Sequence, residues 1–158
     1  MNEGNYVQSI NIFTIFSLLL NFSGCANKIN QFEIGEISKV EVSDNGVDLL
    51  VESDSITRTC ATLVMENNSQ NDVLYREPYE IEIKIDDNWH KINVVINFVE
   101  SLYLLKVNKS NGFNLEWNHT YGELPSGTYR IIKEFQIDNV TDDEITETFY
   151  SSAEFIIE

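Results

Sequence analysis

Apolar and polar residues alternate through most of the chain beyond residue 45, and that habit restricts it to strands. Tyr79, Ile81, Ile83 and Ile85 take turns with Glu80, Glu82 and Lys84. Successive side chains of a strand point to opposite faces, so this stretch reads as a half-buried strand with its isoleucines inward. Asp86-Asp87-Asn88 supplies a turn, and Trp89 to Val95 returns as the hairpin partner. Val47, Leu49 and Val51 alternate with Asp48, Leu50 and Glu52. Within Thr57 to Glu66, Ala61, Leu63 and Met65 share one face. Phe113, Leu115 and Trp117 share another, Tyr129 to Ile137 forms a further strand, and Phe149, Ser151, Ala153, Phe155 and Ile157 close the chain. Ser101 to Val107 is a short apolar run that reads as a strand or as a helical turn. Asn67 to Asp72, Asn108 to Gly112 and Asp138 to Glu147 read as polar or acidic breaks. Seven or eight short strands at this spacing predict an all-β fold of two packed sheets, a β-sandwich. No long segment keeps a helical period.

The 158 residues suit one domain, and 42% hydrophobic content with nine Phe, seven Tyr and two Trp is enough to build its core. Acids outnumber bases 26 to 10, for a net charge of −16. Nucleic acid is therefore excluded as a partner class, because phosphates are bound by Lys and Arg that displace counterions. A basic patch adhering to anionic lipid is excluded for the same reason.

Near the end lies Tyr121-Gly-Glu-Leu-Pro-Ser-Gly-Thr-Tyr-Arg130. Pro125 presets its own φ, and Gly127 tolerates conformations that other residues avoid, so Pro125-Ser126-Gly127 reads as a turn before a strand. Leu124, Gly127 and Tyr129 resemble the tyrosine corner of immunoglobulin-type sandwiches. That resemblance implies a Tyr129 ring filling one end of the core, with its hydroxyl bonded to the upstream backbone. Together with Ala61 to Ser69, Tyr79 to Trp89 and Ser152 to Phe155, the segment is similar to the bacterial immunoglobulin-like domains of secreted and lipid-anchored Gram-positive proteins. The likeness covers residues 46–158 and implies an immunoglobulin-like β-sandwich without catalytic residues. In antibody domains, a disulfide partner for Cys60 would fall two residues after the corner Tyr, where this chain has Ile131. Cys60 is then expected to be a buried small hydrophobe.

The N-terminus reads as a targeting segment. Ile10 to Leu20, extended to Phe22, is apolar, yet as a helix it would reach only about 20 Å. The hydrocarbon core of a bilayer is about 30 Å thick, so a secretory signal fits better than a permanent span. Phe22-Ser23-Gly24-Cys25-Ala26 resembles the lipobox of bacterial lipoproteins, although Phe22 stands where an aliphatic residue is usual and residues 1–9 hold no Lys or Arg. The resemblance implies a signal peptide at 1–24, cleavage before Cys25, and lipid attachment at the Cys25 sulfur. A cleaved signal with an incidental cysteine is the alternative. Two acyl chains anchor a protein durably where one does not. Residues 25–45, rich in Asn, Gln, Glu, Lys and Ser, read as the tether, with Phe32-Glu-Ile-Gly as a weak strand and Val40 and Val42 as the first residues to join the fold.

Catalytic groups are sparse. His90 and His119 have no companion at metal-ligand spacing. Asp142-Asp143-Glu144 and Glu147 lack the spacing of a calcium loop and read as a solvated acidic loop. There is no phosphate-cradling glycine loop and no nucleophile elbow. Neither a metal nor a cofactor is expected. The expected function is that of a membrane-anchored envelope lipoprotein whose non-catalytic module binds an unknown protein partner. A protease inhibitor presenting Asn67 to Asp72 or Asp138 to Glu147 is the alternative, and a metal-binding or enzymatic protein ranks third.

Overall fold

The computed structural model describes residues 33–95, 97, 101–138 and 147–158. Among them run ten strands: β1 (Glu33–Ile37), β2 (Val47–Val51), β3 (Cys60–Asn67), β4 (Val73–Arg76), β5 (Glu80–Ile85), β6 (Asn88–Asn93), β7 (Leu102–Leu105), β8 (Lys109–Glu116), β9 (Gly127–Ile137) and β10 (Thr148–Ile157). No described helix is long and apolar enough to cross a membrane.

The strands form two sheets. β2, β3 and β8 make the smaller one. The larger runs β1-β6-β5-β9-β4-β7, and β10 also pairs with β9. β9 is its spine. β10 covers one edge from Gly127 to Gln136, while β5 and β4 share the other, at Glu80–Ile83 and Val73–Tyr75 respectively. The long strands turn their apolar parity inward, so Leu49, Leu63, Met65 and Leu115 face Ile81, Ile131, Phe135 and Phe155 in one continuous core.

Eight strands follow the sequence pattern and two do not. β4 is four residues long, too short for alternation to show. β1 lies inside the stretch expected to be tether: residues 33–37 pair with β6 at the far edge of the larger sheet. From there Ser38 to Asn45 crosses the sheet's outer face. The Ser38 amide donates to the Trp89 carbonyl at 2.7 Å, and the Ser43 amide reaches the Tyr150 carbonyl at 3.4 Å. Val40 lies half-buried over Ile132 and Tyr150, whereas Val42 stays exposed. Residues 102–105 are a strand, not a helical turn, and the break after them is shorter than the sequence suggests, since β8 already begins at Lys109. Asn108 makes that turn at φ 54°. The β5–β6 hairpin turns on Asp86 and Asp87, both at positive φ (48° and 64°), as a two-residue primed turn requires.

Candidate functional site

The corner residues come together at one end of the core. Leu124 and Tyr129 are wholly buried, and the Tyr129 hydroxyl donates to the Pro125 carbonyl at 2.8 Å. The ring stacks on Phe155 at 5.5 Å, and Phe155 meets Trp117 at 5.6 Å. A Cβ on Gly127 would sit 3.3 Å from the Tyr129 ring, tight enough to favour glycine there. Trp117 is buried too, its indole N–H donating to the Arg58 carbonyl at 2.9 Å. Tyr121 makes a second such tie, unforeseen in the sequence: its hydroxyl accepts the Ile81 amide at 3.1 Å. This end of the domain is structural, and its side chains point inward.

Cys25 lies outside the described residues, as do residues 139–146 of the acidic loop. The Asn67–Asp72 loop is described and closely tied. Buried Asn67 donates to the carbonyls of Asn71 (2.8 Å) and Leu105 (3.0 Å), and its own amide oxygen accepts the Ser69 hydroxyl at 2.6 Å. Cys60 is half-buried beside Thr57 at 3.1 Å, more open than a core position would be. His90 is half-buried, its Nδ1 3.3 Å from the Gly35 carbonyl, and His119 is exposed. Among the described residues, no three His, Cys, Asp or Glu side chains cluster to hold a metal ion.

A concavity opens elsewhere, where β4 and β7 of the larger sheet face β8 of the smaller. It encloses about 520 Å³, with walls from Tyr75, Tyr79, Tyr103 and Phe113 and acids Glu77 and Glu116 among its lining. Tyr103 stacks on Tyr75 at 5.4 Å, and Phe113 meets Tyr75 edge-on at 5.6 Å. The Tyr103 hydroxyl donates to Glu77 at 2.6 Å, a bond that raises the pKa of this phenol.

At the inner end of this pocket stands Lys133. It occupies a core-facing position of β9, between Ile131 and Phe135, and is only 2% exposed. Its Nζ donates to the carbonyls of Arg76, Glu77 (2.9 Å) and Pro78 (3.1 Å) and lies within 5.6 Å of the Tyr75 and Phe113 rings. The ammonium therefore staples the β4–β5 bend to the core and gives the pocket its inner wall. Burial pushes it down to about 8, with Glu77 pulling the other way.

The buried groups together set an alkaline stability profile. Burial pushes Tyr79 and Tyr129 up to about 12, Arg58 opposing at Tyr129, and raises Tyr121 as well. Lys133 titrates lower folded than unfolded, so the unfolded chain binds more protons between about pH 8 and 10.5 and stability rises with pH there. The tyrosines titrate higher folded than unfolded, so their contribution is complete below about pH 10 and is lost as pH climbs toward 12. Denaturant unfolding measured from neutral to strongly alkaline pH is expected to show a shallow rise and then a steep fall. A flat profile above pH 10 would mean that the phenols are not buried in solution.

Sequence reasoning missed the pocket and its lysine. The signal was present, since Lys133 breaks the inward apolar parity of Tyr129, Ile131 and Phe135. No curated protein and no solved structure matches the chain. The family model for bacterial Ig-like domains matches residues 43–155, from just before β2 almost to the end of β10. Two sheets in a sandwich, closed at one end by a tyrosine hydroxyl bonded back to its own turn, agree with that match, and the chain belongs to the bacterial immunoglobulin-like domain family.

Proposed function

We propose that the chain is a lipid-anchored envelope module, held on the extracytoplasmic face of the cell membrane through Cys25, which works by binding another protein and not by catalysis. The order of its parts carries the reading. A short apolar run ends in Ser23-Gly24-Cys25, and an immunoglobulin-like domain follows from residue 43. The described side chains favour binding over catalysis. Their perturbed groups are a lysine bonded to carbonyls and tyrosines holding the fold together, with no nucleophile set against a base. The charge of −16 suits a protein partner and repels nucleic acid.

On this reading the tether is short. Seven residues, 26–32, lie between Cys25 and β1, and the eight Cα steps across them reach at most roughly 28 Å when fully extended. The larger sheet's β1 edge would therefore stand close to the headgroups. Detergent-phase partitioning of the exported protein tests the anchor: the wild type is expected in the detergent phase and Cys25→Ser in the aqueous phase. Both forms in the aqueous phase would remove the lipid.

A further inference from the structure

We propose that the free edge of β7, with the pocket behind Tyr103, is a strand-addition site for an extended, basic segment of a partner protein. This rests on the binding role just given and names the surface that performs it. β7 pairs with β4 in unbroken register, from Val73 opposite Leu105 to Arg76 opposite Leu102, and no described strand pairs with its other side. An unpaired edge presents a row of N–H and C=O groups ready to accept another strand.

Natural proteins blunt such edges, and two others here are blunted. β1 carries Glu33 and Glu36 and breaks register between Ile34 and Ile37. The open side of β8 carries Lys109, Ser110, Asn111, Asn114 and Glu116. β7 instead exposes Leu102 (52%), Tyr103 (38%) and Leu104 (48%), without proline, bulge or charge within the strand. Main-chain bonds along this edge supply affinity, and pockets for alternate side chains supply selectivity. Tyr103 shares its inward parity with Tyr75 and forms one wall of the pocket, so an added strand has an aromatic slot beside it.

The charges choose the occupant. Glu77 and Glu116 line the pocket, and the ammonium of Lys133 is already committed to three carbonyls. An Arg or Lys on the incoming strand meets carboxylates and ring faces there. Lys106 and Lys109 lie around the β7–β8 turn, and Arg76 stands opposite Leu102 on the outer parity, so the basic residue belongs on the Tyr103 parity, toward Glu77 and Glu116. A second copy of this chain is disfavoured, since each brings a charge of −16.

A displayed library of random peptides, selected on the full chain and counter-selected on Leu104→Lys, tests this. Leu104 points outward and is half exposed, so the variant keeps the fold, which circular dichroism would verify. Enriched peptides are expected to alternate β-branched residues with at least one Arg or Lys, and to protect from exchange those amides of Leu102–Leu105 that point away from β4. Replacing that Arg with Glu, or using Leu104→Lys, should weaken binding by at least about tenfold, as losing one good polar contact does. No enrichment, enrichment indifferent to Leu104→Lys, or retention on insoluble cell-wall glycan through Tyr103 in place of peptide binding would each overturn the proposal. Detergent partitioning is independent of all three, so the anchor and the edge stand or fall separately.

Discussion

Glu82→Ala is expected to destabilise the domain by about 3–5 kcal/mol, the range seen when one partner of a buried ion pair is removed. Glu82 is fully buried and Arg130 is 8% exposed. The Arg130 Nε and Nη2 both reach Glu82 Oε2 at 2.7 Å. Without the carboxylate, the guanidinium would keep, among the described residues, a 3.4 Å contact with the Ser38 hydroxyl and the face of Trp89 at 4.8 Å. The pair is itself imperfect. Both contacts fall on one oxygen, and Oε1 is buried without a hydrogen-bond partner among the described residues. Leaving such an atom unbonded costs about 1–3 kcal/mol, so Glu82→Leu with Arg130→Leu should recover most of the loss. Urea unfolding of both variants decides the matter. A double variant as unstable as Glu82→Ala would show that the pair itself holds the sheet together.

Lys133→Ala should cost about as much, roughly 4 kcal/mol, by leaving a cavity in the core and taking the donor from the Arg76, Glu77 and Pro78 carbonyls. Lys133→Met keeps the aliphatic stem and should cost about 2 kcal/mol, because only the charged hydrogen bonds are lost. Both should abolish the rise in stability above pH 8, since that rise belongs to this ammonium. If Lys133→Met matches the wild type in urea, the carbonyls are rehydrated through the pocket and the bend needs no staple.

These two sites mark where the sequence was readable and where it was not. Lys133 was legible. A lysine on the core parity of a strand either ends that strand or is paid for by hydrogen bonds, and the second holds here. Glu82 and Arg130 were not. They sit on the outward parity, which alternation assigns to water, and nothing local announces that Ser38 to Asn45 lies across that face. Ile132 is buried on the same outward side. The sandwich, the inward faces and the Leu124–Tyr129 turn were readable because each follows from neighbours within a few residues. β1 was legible only as a weak strand at Phe32-Glu-Ile-Gly within the tether, because a short polar strand looks like linker until its partner is known, and Asn93 and His90 lie more than fifty residues away. The pocket was missed for the same reason: Tyr75, Tyr103 and Phe113 meet only once three strands are placed.

Among the described strands β1 pairs with β6 alone, by the five residues before the crossing segment. A mechanical load passed along the chain from the N-terminal side reaches β1, at Glu33, before any other described strand. Peeling it away would release about 17 Å of slack while the other nine strands stay assembled. The pull would next come to bear on Ser38, the residue lying against Arg130, so the domain is built to give length before it gives up its shape.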